Sequence, residues 1–328
     1  MLISIVIPTY NRRDSVVHCV ESLSHQTLSP ELFEIIVVID GSTDGSIESL
    51  SALKLSCTSH YIEQKNLGQA AARNAGIQAA KGQYILFVDD DFLCESHLLE
   101  EHLVKHTSQD IVVVGPISRD RHDHSLPAFA IDREIRPFYD GLGPGLHPLT
   151  WLPPNSSLPR ASLLAVGGYD ESFSSAREDT ELGLRLAERG MQIVYAPNAT
   201  VRQRYLKSAA ELVSGAALFG YNDVRLIRMR PNYLPHCNLS RLDHGPWWKR
   251  SLRNLIAILP ISPEPLLAVA YWFVEKAKEI GFLREAGIRL LNLRRYIVWL
   301  RAAVRQAGRF ESLLALVEDT RSRTHRQG

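Results

Sequence analysis

The chain has 328 residues, 45% hydrophobic and 22% charged, enough to bury a substantial core as one large domain or two modest ones; this excludes a disordered chain. The net charge of +1 hides an asymmetry, because residues 1–200 hold 15 Lys/Arg against 26 Asp/Glu and residues 201–328 hold 22 against 10. The four cysteines, Cys19, Cys57, Cys94 and Cys237, form no CxxC pair, which argues against a zinc or redox motif and for reduced thiols in a cytosolic setting.

The opening "ISIVIP" (3–8) is a β-branched run closed by Pro8 and reads as a parallel strand buried on both faces, not as a signal peptide. Residues 14–25 carry apolar positions at helical spacing, with Asp14 as the expected N-cap. "FEIIVVID" (33–40) is a second buried strand, followed by the turn "GSTDGS". A helix over "SIESLSALK" and a short strand at "HYIEQ" come next. Residues 68–82 predict an Ala-rich helix that stops at Gly82, and "QYILFVDDD" a fourth strand. A helix near 97–107, the strand "DIVVVG", an irregular stretch over 119–160, a helix over 178–190 and the strand "QIVYAP" follow. Beyond about 205 the chain reads as helical and basic.

Strands alternating with helices predict a right-handed, doubly wound, mostly parallel sheet, whose ligands bind beyond the carboxyl ends of the strands. Two acidic segments, "IDGSTD" and "VDDD", end strands there. Asp40 can simply start its turn, or it can accept hydrogen bonds from a base or ribose. Asp89, Asp90 and Asp91 repel one another and call for a positive partner. The outer pair, Asp89 and Asp91, suits Mg²⁺ or Mn²⁺ shared with substrate phosphates, although such a triplet can also be a solvated turn. Glu178 and Asp179 open a helix, where the macrodipole favours acids, and a carboxylate held there can also serve as a general base. There is no GxGxxG and no P-loop.

Together these segments resemble the inverting family 2 glycosyltransferases, with their GT-A, Rossmann-like nucleotide-diphospho-sugar fold. The resemblance is carried in order by "ISIVIPTYNR" (3–12), "EIIVVIDGSTDGS" (34–46), "NLGQAAARNAGIQAAKGQYILFVDDD" (66–91), "NSSLPRASLLAVGGYDESF" (155–173) and "EDTELGLRLAERGMQIVYAPNA" (178–199). It implies base contacts from Pro8, Tyr10 and Asp40, a basic residue near the nucleotide at Arg73, and Asp90 near the ribose. It makes Asp91 the metal ligand with Asp89 beside it, and Asp179 the catalytic base of an ED motif with Glu178. "WLPPNSS" (151–157) resembles the acceptor-side loop, where Trp151 would stack on a sugar. Many relatives carry a metal-completing His after the strand matched by "QIVYAP"; here the segment reads "NATVRQRYLK", so His236 or a water would substitute, or the metal would bind more weakly, or Arg202 or Arg204 would meet the diphosphate directly. The processive QxxRW signature is absent, which implies single sugar transfer to a glycan or lipid-linked acceptor, with Mn²⁺ or Mg²⁺ as cofactor. UDP-sugars, GDP-mannose and dTDP-rhamnose all stay open as donors.

Two other classes are weighed. A nucleotidyltransferase would carry a Gly-rich basic loop where "PTYNRRDS" stands. A catalytically silent scaffold would bind a sugar nucleotide without acting on it. The expected division is a GT-A domain over 1–235 and a basic helical C-terminal region over 236–328. That region either caps the catalytic domain or lies on an anionic membrane face through "WWKR" (247–250) and the Arg-spaced helix 283–308, making the protein cytoplasmic and peripheral. Its cations alternate with Leu and Ile, a pattern that fits nucleic acid poorly.

Overall fold

In a computed structural model describing residues 1–119, 124–173, 176–204, 207–242, 246–259, 262–276 and 280–327, the first apolar run forms β1 (Ile3–Thr9), every residue of it buried. The chain continues through α1 (Arg13–Ser24), a 3₁₀ turn (Pro30–Leu32), β2 (Phe33–Asp40), α2 (Ser46–Ser51), β3 (Thr58–Gln64), α3 (Gln69–Ala79), β4 (Tyr84–Phe87), β5 (Phe92–Cys94), α4 (Leu98–Leu103), β6 (Ile111–Val114) and β7 (Ile117–Arg119). Then come α5 (Leu126–Asp140), β8 (Leu146–Pro148), β9 (Ser156–Pro159), α6 (Arg160–Ala165), α7 (Glu178–Ala187), β10 (Gln192–Tyr195) and β11 (Val201–Gln203). The C-terminal helices are α8 (Ala209–Met229), two 3₁₀ turns (Pro231–His236 and Asn238–Arg241), α9 (Trp247–Ile258), α10 (Glu264–Lys276), α11 (Gly281–Ala307) and α12 (Phe310–Gln327).

The main sheet has the order β3-β2-β1-β4-β9-β6-β10-β8, parallel except for β9 and the edge strand β8. The period of two along each strand splits the core. Ile3, Ile5, Ile7, Ile35 and Val37 pack with Val16, Val20 and Leu23 of α1, while Val6, Ile36, Val38, Ile85 and Phe87 pack with Ala70, Ala72 and Ile77 of α3. This is why both strands read as unbroken apolar runs. A second, three-stranded sheet has the order β5-β11-β7. From β1 the chain runs outward through β2 to β3, then returns to place β4 on the other side of β1. The carboxyl ends of β1 and β4 therefore frame the switch point where such sheets bind ligands.

The chain divides into two compact units, Met1–Asp123 with Ile135–Tyr205, and His124–Glu134 with Leu206–Gly328. The expected boundary at 235 falls inside the second unit, because α8 packs along α11. Cβ-less Gly220 of α8 lets the helices meet (a Cβ there would stand 2.1 Å from the Trp299 carbonyl), and buried Asp223 accepts from Trp299 Nε1 (2.7 Å) and Tyr233 Oη (2.9 Å). Leu291, Ile297, Trp299 and Leu300 of α11 are buried. The Arg-spaced helix read as a membrane face thus turns its apolar positions into this unit's own core. The Trp247, Trp248 and Lys249 side chains of "WWKR" lie outside the described residues. No helix among the described residues is long and apolar enough to cross a membrane.

Three local expectations are corrected. Asp14 is not the N-cap of α1: Arg12 holds that position, and Asp14 sits in the first turn accepting from Arg13 Nε (2.8 Å). α3 ends at Ala79, not Gly82; Gly82 is needed because a Cβ there would lie 2.6 Å from the Ser4 amide of β1. The stretch 119–160 holds β8, β9 and the 15-residue α5, whose internal Pro137 and scattered charges masked its helical period.

Candidate active site

Val88 donates its backbone N–H to the Val6 carbonyl (3.2 Å), so the triplet emerges beside the end of β1. Its three members meet different partners. Asp90 is buried, with Oδ2 accepting from Thr9 Oγ1 (2.8 Å) and Oδ1 from Arg12 Nη1 (3.1 Å). Asp89 Oδ1 accepts from Arg73 Nη2 (3.1 Å). Asp91 Oδ2 accepts from Gln203 Nε2 (3.0 Å), with Arg12 Nη1 at 3.8 Å. The positive partners demanded by the sequence are thus Arg12 and Arg73. Asp91 Oδ1 is buried with no hydrogen-bond partner among the described residues. Burial first, and Asp89 second, push the Asp91 carboxyl up to about 7. Burial likewise raises Asp90, against the pull of Arg12 and Thr9.

Arg73 ties this triplet to the ED motif. Its side chain leaves the buried face of α3 only 5% exposed, and Nη1 donates to Glu178 Oε1 at 3.2 Å. Tyr169 lies beneath, its ring centroid 5.4 Å from the guanidinium carbon. Burial opposes the charge, but Tyr169, Asp89 and Glu178 hold the guanidinium above its ordinary pKa, so it stays a cation. Glu178 and Asp179 begin α7 directly after Arg177, which adopts φ +70°, a left-handed conformation rare for a non-glycine residue. Glu178 is buried; burial and then Asp179 raise its pKa against the pull of Arg73. Asp179 is half-buried, and Oδ1 accepts from the Thr180 amide (2.7 Å). Burial raises its carboxyl too, opposed by Arg177 and Arg73. A carboxylate with a pKa raised from its usual low value is a better base at neutral pH.

Trp151 is brought to the same place. The Leu152 amide donates to the Asp179 carbonyl (3.0 Å), and Gly183 of α7 lets the backbone of Trp151 approach, since a Cβ there would stand 2.6 Å from Trp151 Cα. The indole meets Phe138 edge-on at 5.2 Å, and Phe138 in turn meets Tyr139. Only the front of "WLPPNSS" is available to a ligand, because Asn155, Ser156 and Ser157 are fully buried. Asn155 Nδ2 donates to the carbonyls of Pro116 and Ala199.

The nucleotide-side residues separate. Tyr10 is 49% exposed at the end of β1, whereas Pro8 is buried within the strand opposite Val38. Asp40 accepts from Gln64 Nε2 (2.7 Å) and from the amides of Leu67 (2.9 Å) and Gly68 (2.9 Å), fixing the entry to α3. The "DGSTD" turn is held instead by Asp44, which accepts from the Arg13 and Ser46 amides.

The segment without the family histidine is resolved by register. β11 pairs antiparallel with β5, Gln203 opposite Phe92, which delivers the Gln203 amide to Asp91; Arg202 and Arg204 are exposed, and Arg204 contributes only its backbone amide, to the Asp91 carbonyl (2.9 Å). His236 belongs to the second unit. Among the described residues no three His, Cys, Asp or Glu side chains gather in a metal-binding group. The residues nevertheless fit a divalent cation shared with a substrate: Asp91 Oδ1 is an orphaned buried acceptor, and Asp89 keeps one oxygen outside its ion pair. Sequence reasoning passed over Arg12, Thr9, Gln203, Phe138 and Tyr139. Arg12 and Thr9 lie within the first recognisable segment and could have been found there, whereas the others depend on register and on α5.

The glycosyl transferase family 2 profile matches residues 4–142, which run through the triplet and α5. The chain carries a family 2 glycosyltransferase domain. It is 29% identical over 265 residues to a validoxylamine A glucosyltransferase of Streptomyces hygroscopicus subsp. limoneus, covering 71% of this chain and 58% of that enzyme. It is 39% identical over 121 residues to a poly(ribitol-phosphate) beta-glucosyltransferase of Bacillus spizizenii, covering 36% of this chain and 19% of that protein. The chain therefore spans little more than half of the first relative and a fifth of the second. The glycosyltransferase domain has the GT-A fold: a mannosyltransferase from Pyrobaculum calidifontis, solved in complex with GDP-Man and Mn²⁺, superposes with a TM-score of 0.61 at 17% identity, covering 93% of this chain and 86% of that one. The S. aureus TarS 1-349 complex with UDP superposes at 0.51 and 19% identity, covering 93% and 92%.

Proposed function

We propose that the chain transfers one sugar, with inversion, from a nucleoside-diphosphate sugar to a hydroxyl of a glycan or lipid-linked acceptor. The observation that carries this reading is the Arg73 bridge, which fastens the ED motif to the acidic triplet, so that a base sits beside the end of the cleft suited to phosphates. Asp179 takes the proton of the acceptor hydroxyl as its oxygen attacks the anomeric carbon. The bond from that carbon to the phosphate oxygen breaks on the opposite face, and the nucleoside diphosphate leaves with the electron pair. A divalent cation held by Asp91 and Asp89 would neutralise charge on that leaving group. Thr9 and Arg12 orient Asp90 toward the ribose, Tyr10 offers its exposed ring to the base, and Trp151 stacks on a sugar. Asp40 supports the nucleotide from the entry to α3, which it fixes through Leu67 and Gly68.

A panel of nucleoside-diphosphate sugars, each with and without Mn²⁺, tests the reading by thermal unfolding, because a ligand of the folded state raises its apparent stability. At least one donor should stabilise the protein in a Mn²⁺-dependent way and turn over when an acceptor is supplied. Stabilisation by a nucleoside triphosphate with pyrophosphate release would point to nucleotidyl transfer instead. Donor binding with neither transfer nor hydrolysis would leave a silent binding scaffold.

A further inference from the structure

Helix α10 presents to solvent the kind of face a core helix buries. Leu266 is 78% exposed, Val269 57%, Trp272 56% and Phe273 63%. Residues 266, 269 and 273 fall at i, i+3 and i+7 and share one side of the helix. The opposite side is firmly fastened. Tyr271 is buried, Glu264 Oε1 accepts from Arg294 Nε (2.8 Å) and pairs with Arg294 Nη2 (2.7 Å), and the same guanidinium lies 5.2 Å from the Tyr271 ring centroid. The exposed side is therefore the outer surface of a seated helix, not a frayed end. Helix α9 repeats the pattern, with Leu252, Leu255 and Ile258 each about half exposed or more.

We propose that the α10 face docks on an anionic lipid bilayer, with the helix lying in the plane of the interface. Three observations select this occupant. First, α10 has 13 residues, far short of the roughly 20 needed to span a hydrocarbon core, so an apolar face on it suits shallow insertion. Second, the Lys276 ammonium sits 5.8 Å from the Trp272 ring centroid, which places an amphipathic aromatic and a cation together where headgroups meet acyl chains. Third, residues 206–328 carry 20 Lys/Arg against 10 Asp/Glu. That charge draws the unit to an anionic surface and opposes its face-to-face association with the same, equally cationic unit of a second copy. A bilayer also satisfies the apolar side chains, which a purely electrostatic partner would leave in water.

This inference does not depend on the proposed activity, and its test needs none. The full chain is sedimented with vesicles of phosphatidylcholine alone and of phosphatidylcholine with phosphatidylglycerol, at low and high salt. Binding should require the anionic lipid, weaken with salt, and blue-shift the tryptophan emission. The double variant Trp272→Glu/Phe273→Glu should bind on the order of a hundredfold more weakly or worse, since two large apolar side chains lose their burial. Lys276→Glu should lose about 25-fold, because it removes a cation and adds an anion, and each charge near such a surface is worth on the order of fivefold. Both changes are at the surface, and an unaltered urea unfolding curve serves as the folding control. Failure of the wild type to bind either vesicle, or equal binding by the double variant, overturns the proposal. So does vesicle-free self-association in the ultracentrifuge that the same substitutions abolish, which would assign the face to a second copy.

Discussion

Replacing Arg73 with Met removes one positive charge from the middle of three carboxylates while keeping an unbranched apolar stem. In the wild type, Arg73 Nη1 and Nη2 stand 3.2 Å from Glu178 and 3.1 Å from Asp89, with the Arg73 and Glu178 side chains 6% and 8% exposed and that of Asp89 27%. Little solvent screens the Arg73–Glu178 contact, and more reaches Asp89. Taking one partner from a buried pair costs about 3–5 kcal/mol, because the remaining charge is left unpaired. The cost should depend on pH. Glu178 already has a folded-state pKa above its ordinary value of 4.5, and Arg73 pulls it down. Without Arg73 it moves further up. A carboxyl raised in the folded state binds more protons there than in the unfolded chain; its contribution is fully present below the ordinary pKa and is lost as pH rises through the raised value. The variant should therefore be least destabilised near pH 4.5 and most destabilised above neutrality.

Urea unfolding of both proteins at acid and mildly alkaline pH measures this. The gap should widen by about 1–3 kcal/mol across that range. Adding Glu178→Gln to Arg73→Met should recover a similar amount at the alkaline end, since it removes one of the stranded charges. A gap that stays constant with pH, together with no rescue by Glu178→Gln, would show that Arg73 acts by packing on Tyr169 and that the electrostatic account of the bridge is wrong.

Asp179→Asn keeps the Thr180 hydrogen bond but not the basicity, so transfer should fall about 10²–10⁴-fold while donor affinity, read by calorimetry, holds; near-normal transfer would refute its role as base. Asp91→Asn should abolish the Mn²⁺-dependent part of donor stabilisation, and an unchanged Mn²⁺ effect in the thermal assay would move the cation elsewhere. Gly220→Ala places a Cβ 2.1 Å from the Trp299 carbonyl and should destabilise the second unit by about 1–3 kcal/mol or more, visible as early loss of Trp299 fluorescence on denaturation; wild-type stability would contradict the close packing of α8 and α11.

What could be read beforehand followed from signals that are local in the sequence. β1 and β2 announced themselves because strands buried on both faces leave no room for polar alternation, and Asp89 to Asp91 stood out because like charges side by side are costly without a partner. Which cation meets which carboxylate was not legible, although Arg12 and Arg73 both lie in recognisable segments. Arg12 and Arg73 are remote in sequence from the triplet, and only the β1–β4 pairing and the α3 packing bring them to it. Gln203 was hidden by its neighbours: two arginines drew attention, while the antiparallel register of β11 on β5 turned the intervening glutamine toward Asp91. In the second unit, arginines between apolar residues at helical spacing described α11 equally well as a membrane face or a core helix, and the packing of Trp299 onto Asp223 decided for the core.

The buried polar groups themselves separate packing from function. His102 is fully buried, yet Nδ1 meets Ser157 Oγ (2.9 Å) and Nε2 meets Asn155 Oδ1 (3.0 Å); Asp223, also fully buried, has a donor on each oxygen. Such groups are satisfied by the fold alone and hold it in one arrangement. Asp91 and Glu178 are also buried, but each keeps one carboxylate oxygen without a hydrogen bond among the described residues. An unmet buried acceptor costs about 1–3 kcal/mol, and folding gains nothing from it. Both lie at the switch end of the sheet, next to the left-handed Arg177 and the half-buried Asp179. Unmet buried polar atoms also occur away from this end, Glu34 Oε2 among them with His60 Nε2 3.4 Å away, but at Asp91 and Glu178 they coincide with backbone strain, the pattern of a site that a ligand would complete. A bound cation would give Asp91 Oδ1 a partner and offset its repulsion from Asp89, which is why loss of Mn²⁺-dependent stabilisation in Asp91→Asn would be a direct reading of that completion.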